Sequence, residues 1–141
     1  RQLIEAQERT GAEVVLGLHR VSNPRVWDMV DCKADGRVRS IVMKPVSTIL
    51  THGWCCAVWT PAFSDFLHRF LRAGSIGRNL GRLASRANDP GGDLAMGVVL
   101  QAALKEGLPM QSVIFPHDVP IDIGTPADLL KAVRQRHSAP S

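Results

Sequence analysis

At 141 residues and 15.4 kDa, with 45% hydrophobic and 21% charged residues, the chain has the size and balance of one globular domain. Such a chain can bury about two-thirds of its unfolded surface, which excludes a disordered tail and a disulfide-stapled miniprotein. Seventeen Lys and Arg against 13 Asp and Glu leave a net charge of +4 and a pI of about 9.4. That balance favours phosphate esters, nucleic acid or acidic lipid over cationic partners.

The first decad, Arg1 to Thr10, carries no initiator Met and reads as a helix ending at Gly11, where a left-handed cap suits glycine. Ala12 to Leu18 is apolar and β-branched, as a buried strand is. Trp27 to Lys33 and Arg37 to Met43 are two further strands joined by Ala34-Asp35-Gly36-Arg37, because Asp-Gly tolerates the positive φ of a tight hairpin. Gly53 to Trp59 is a fourth. Thr60-Pro61 supplies an N-cap and a first-turn proline for a helix whose apolar face is Phe63, Phe66, Leu67, Phe70 and Leu71. Residues 73–92 read as a basic, glycine-rich excursion. Asp93 to Glu106 has helical periodicity capped at Gly107, and Met110 to Pro116 alternates as a strand. Thr125-Pro126-Ala127-Asp128 opens a last helix, and residues 137–141 read as a frayed, flexible tail. The order α-β-β-β-β-α-α-β-α predicts an α/β fold, a mixed β-sheet flanked by helices, and not a bundle or sandwich.

Three cysteines, Cys32, Cys55 and Cys56, provide neither a disulfide framework nor a CxxC knuckle. Adjacent residues in a strand point to opposite faces, so the expectation is three small, buried apolar fillers in a reducing, cytoplasmic protein. No apolar run approaches the ~18 residues of a membrane span, and the N-terminus is unlike a signal peptide. The five histidines lack ligand spacing and are expected on the surface or in loops; Trp27, Trp54 and Trp59 are expected to anchor the core. No Ser or Cys has a base partner at a recognisable spacing.

Two stretches have the residue types for phosphate chemistry. Lys44-Pro45 follows a strand directly, and proline keeps its predecessor out of the helical region, so Lys44 is expected to leave the strand extended and reach an anion. In Asp122-Ile123-Gly124-Thr125-Pro126 a carboxylate precedes a glycine and a helix N-cap, a placement suited to Mg²⁺, which favours oxygen ligands shared with water and phosphates. Either stretch alone also serves as an ordinary loop or cap.

Taken together and in order, Ala12 to Leu18, Asp35 to Val38 leading to Val42-Met43-Lys44-Pro45, Gly53 to Phe63, and Asp122 to Leu129 resemble the sugar-nucleotide pyrophosphorylases, the sugar-1-phosphate nucleotidyltransferases. The resemblance spans about residues 1–136. It implies part of a Rossmann-like, GT-A-like catalytic domain that joins a sugar 1-phosphate to a nucleoside triphosphate and releases pyrophosphate. Positioning and charge neutralisation would dominate such a reaction, since the nucleophile is already an anion. By resemblance Lys44 contacts the sugar phosphate, Asp122 helps hold Mg²⁺, Asp93 takes the place of a substrate-binding Glu, and Trp54 lines the sugar pocket. A homo-oligomer is compatible with it.

The sequence departs from that pattern at two kinds of place. Met43 stands where the family has an acid before the lysine, and Val98 where it has an Asp; a thioether cannot accept the hydrogen bonds from sugar hydroxyls that a carboxylate can. No GxGTR-like phosphate loop occurs, and Gly74, Gly77 and Gly81 do not replace it. The expectation is therefore the C-terminal part of a catalytic domain, inactive alone, with a non-catalytic sugar-phosphate-binding or regulatory relative as the alternative. Arg78, Arg82 and Arg86 recur at i, i+4 and i+8 and would form one basic stripe on a helix. No aromatic residue interleaves with them, which argues against nucleic acid.

Overall fold

The computed structural model of the protein describes residues 1–76 (backbone only for 74–76), 95–116, 120, 126, 129, 130, 133 and 134. Helix α1, Gln2–Thr10, stops where Gly11 takes φ 65° and donates its N–H to Gln7 O at 2.8 Å. Strand β1, Val14–Arg20, begins two residues later than the apolar run suggests and carries on through His19. A short 3-10 turn, Pro24–Val26, leads into β2, Met29–Cys32, and β3, Val38–Val42, which pair antiparallel about the predicted turn. Gly36 in that turn has φ 85°, the left-handed conformation the Asp-Gly pair was expected to supply. Strand β4, His52–Trp59, is followed by α2, Pro61–Ile76; then come α3, Met96–Lys105, and β5, Met110–Ile114.

The five strands lie in the order β3-β2-β4-β1-β5, antiparallel except for the parallel pair β1/β5. This is the expected mixed sheet. Strand β1 separates two cores by strand alternation. Val14, Leu16 and Leu18 join Val30, Ile41, Phe63, Phe66, Val99 and Leu100 in the larger core, while Val15 packs with Ala6 and Ala12 under α1. Helix α1 thus covers one face and α2 with α3 the other. Burying Phe63 and Phe66, exposed by 0% and 1%, stabilises the fold by about 1.5–3 kcal/mol for each ring. The hairpin turn is anchored on β5: Ser112 N–H donates to Gly36 O at 2.8 Å and Arg37 bridges Gln111.

Several expectations are corrected. Leu71 is exposed, because it lies about 80° around the helix from Phe63 whereas Phe66, Leu67 and Phe70 stay on the core side. Trp59 is also exposed, and Trp27 is half-buried against His19, whereas the half-buried Trp54 packs on the larger core as expected. His19 is no loop residue: it is buried in β1, its ring edge-on to Trp27 at 4.2 Å, and burial followed by the charge of His52 lowers its pKa. Cys56 is exposed and not filler, and its Sγ lies 3.9 Å from that of Cys55. A register shift brings the two sulfurs together, since Gly17 pairs Cys56 and Leu18 pairs Trp54, leaving Cys55 as the extra residue of a bulge. Burial and then Cys56 push the Cys55 thiol up to about 11.

Helix α3 opens after an extended Ala95, not at Asp93. Thr60 Oγ1 donates to Glu13 Oε2, tying the start of α2 to β1. Pro126, Leu129, Leu130, Val133 and Arg134 are helical, in line with the last predicted helix. Asp93, Asp122, Thr125, the stripe Arg78/Arg82/Arg86 and the tail 137–141 lie outside the described residues.

Candidate functional site

Three chain segments meet at one end of the sheet: the entry to β2, the exit of β3 and the start of β4. The registers Met29↔Val42 and Met29↔Gly53 are both antiparallel, so one step outward Asp28 stands beside Met43 on one side and Trp54 on the other. Trp54 N–H donates to Asp28 O at 3.3 Å, which holds that step in place. Directly opposed residues share a face, and Asp28 shares its face with Val30, which packs in the larger core against α2 and α3. The amino end of α3 closes the group. A Cβ on Gly97 would strike the Asp28 carboxylate and lie 3.3 Å from Met43 Cγ, so a larger residue here would have to displace the Asp28 side chain.

Lys44 leaves β3 in the left-handed region at φ 39°, and not extended as Pro45 alone suggested. Proline disfavours the right-handed helical region for its predecessor but leaves this turn open. For a residue with a Cβ the conformation costs on the order of 1–3 kcal/mol, and such strain gathers at binding sites. Its side chain is exposed, yet its ammonium acts on Asp28. Burial pushes the Asp28 carboxyl above its ordinary range; the Lys44 charge, then the Trp54 indole N–H and the Lys44 backbone N–H, pull it partly back. The Trp54 Nε1 is buried and near enough to ease that charge, but it reaches no acceptor in hydrogen-bond geometry.

The structure therefore brings together Lys44 and Trp54 of the four sequence-derived site residues, and adds Asp28. Asp93 and Asp122 are outside the described residues. Asp28 could have been noticed from the alternation Asp28, Val30, Cys32, which puts a carboxylate at the end of an apolar face. Among the described residues no three His, Cys, Asp or Glu side chains converge on a metal position.

A cavity of about 710 Å³ lies at the other end of the strands, lined by Arg9, Asp35, Arg37, Leu108 and Gln111 among others. It contains none of Asp28, Lys44 and Trp54. Its size does not make it the site, since Arg37 lies at the start of β3 and Lys44 beyond its end.

No protein-family model matches the chain, and no curated protein is detectably similar to it in sequence. Solved structures do share its fold. A Bacillus anthracis protein described as a glucose-1-phosphate thymidylyltransferase, solved in complex with sucrose, superposes with a TM-score of 0.65 at 13% identity over 100% of this chain and 50% of its own. The inositol-1-phosphate CTP transferase of T. maritima gives 0.59 at 19% identity, over 88% of this chain and 44% of its own. A nucleoside-diphosphate-sugar pyrophosphorylase of Vibrio cholerae RC9 gives 0.58 at 12%, over 91% and 49%. The chain thus matches the fold of sugar-nucleotide pyrophosphorylases and nucleotidyltransferases, and spans about half the length of each.

Proposed function

We propose that the chain supplies the sugar-phosphate side of a nucleotidyltransferase site that joins a sugar 1-phosphate to a nucleoside triphosphate. The observation that carries this is the convergence of Lys44 and Trp54 at one sheet end, in a fold shared with sugar-phosphate and inositol-phosphate nucleotidyltransferases. Lys44 binds and orients the phosphate as a point charge, and Trp54 offers an indole wall and one N–H to the sugar. Holding the phosphate in place contributes through proximity and charge neutralisation, as the nucleophile needs no deprotonation. Asp122 holds Mg²⁺, which when bound neutralises charge on the phosphates, and Asp93 takes a sugar hydroxyl. No described helix is long and apolar enough to cross a membrane, and three free cysteines suit a reducing cytoplasm.

A non-catalytic sugar-phosphate-binding relative is the second possibility, favoured by Met43 and Val98 at positions where the resembled family is acidic. Isothermal titration of residues 1–141 with glucose 1-phosphate tests what the two share. Lys44→Ala should weaken binding about tenfold, the contribution of one charge-assisted contact. Equal binding by both proteins would remove Lys44 from the site. Pyrophosphate release from glucose 1-phosphate, a nucleoside triphosphate and Mg²⁺ by the intact protein separates enzyme from binding module.

A further inference from the structure

Asp28 is a half-buried carboxylate pressed against a helix backbone, and burial of that kind is unfavourable unless hydrogen-bond donors answer it. The Lys44 backbone N–H answers it in part, while the Lys44 ammonium and the Trp54 indole stand near it without closing on it. The buried Trp54 Nε1 has no acceptor, and the ion pairs among the described residues are Arg1–Glu5 and Arg39–Asp31, not Asp28–Lys44. An acceptor, a neutral donor and a cation are thus held side by side at the end of the sheet, each with capacity left for a ligand. A phosphate alone would answer the cation and the N–H but would meet repulsion from the carboxylate. A phosphate ester carrying hydroxyl groups answers all three.

We infer that Asp28 is a specificity-determining residue for the polyol part of the ligand, accepting hydrogen bonds from its hydroxyls while Lys44 takes the phosphate. This rests on the sugar-phosphate assignment of Lys44. It also accounts for Met43, because the thioether and the Asp28 carboxylate approach the same point above Gly97, so a carboxylate reaches that point from β2 where β3 carries none. Asp28 has a second effect: its charge lowers the pull of Lys44 on bare phosphate, so the site prefers a hydroxylated ester to the free anion.

Asp28→Asn is nearly isosteric and tests this in the intact protein, with glucose 1-phosphate, myo-inositol 1-phosphate and inorganic phosphate as probes. Affinity for the two esters should fall about tenfold to a hundredfold, while inorganic phosphate binds as well as before or more tightly. A thermal melt of the variant excludes unfolding as the cause. Unchanged ester affinity would overturn the role of Asp28 and leave Lys44 untouched, and an equal loss for esters and phosphate would overturn it too, by showing that Asp28 acts only on the anion. If the unmodified protein binds neither ester, the assignment of Lys44 fails first and this one with it.

Discussion

A single carboxylate shows how burial and function pull in opposite directions in this protein. In the unfolded chain Asp28 titrates at its ordinary value of 3.8, and in the folded protein burial raises it. The native state then holds its proton to higher pH than the unfolded state does, so the stability Asp28 allows is highest below pH 3.8 and is lost as pH rises through the raised pKa. At neutral pH the full penalty applies. Asp28→Asn is therefore expected to melt at a higher temperature than the unmodified protein at pH 7, with the difference shrinking as the pH is lowered toward 3.8. Equal melting temperatures across that range would mean that the carboxylate is not held out of water. A stability gain accompanied by weaker ester binding is what a binding residue produces and a purely structural one does not.

At the scale of elements, the turns and caps were legible in the sequence while the meeting of elements was not. Gly11 and Gly107 end their helices at φ 65° and 87°, and Gly36 turns the hairpin, because positive φ is a local demand that a glycine announces. Lys44 and Trp54 were legible as motif residues at strand ends. Asp28 was not, since its importance depends on two cross-strand registers and on a helix beginning 68 residues later. The bulge at Cys55 is a similar case: one extra residue undoes the rule that neighbours face opposite ways, and nothing local announces it. Gly97 links helix and strands and gives the sharpest test at this scale. In an open helix Gly→Ala stabilises by about 0.8–1 kcal/mol. Here the added methyl would strike the Asp28 carboxylate, so Gly97→Ala should lower stability and weaken glucose 1-phosphate binding together. A more stable variant with unchanged binding would show that α3 does not seat on Asp28.

For the whole molecule, the order β3-β2-β4-β1-β5 determines which surfaces are left open. Strand β4 pairs β1 along its length but β2 only at Gly53, so from Cys55 to Trp59 its other edge has no strand partner among the described residues. An open edge and the exposed Trp59 and Ile114 are places where further structure can add. The molecule also offers two candidate binding regions at opposite ends of the sheet: the chemically equipped end at Asp28, Lys44 and Trp54, and the cavity near Arg9 and Arg37. A cavity of about 710 Å³ marks the second, while convergence of an acceptor, a donor and a cation favours the first. Titration of ¹⁵N-labelled protein with glucose 1-phosphate decides between them. Saturable shifts should appear at the Trp54 indole N–H and at the Lys44 and Gly97 amides, with Arg37 and Gly107 unmoved; shifts confined to Arg9, Arg37 and Gly107 would contradict the placement of the sugar-phosphate site at Lys44.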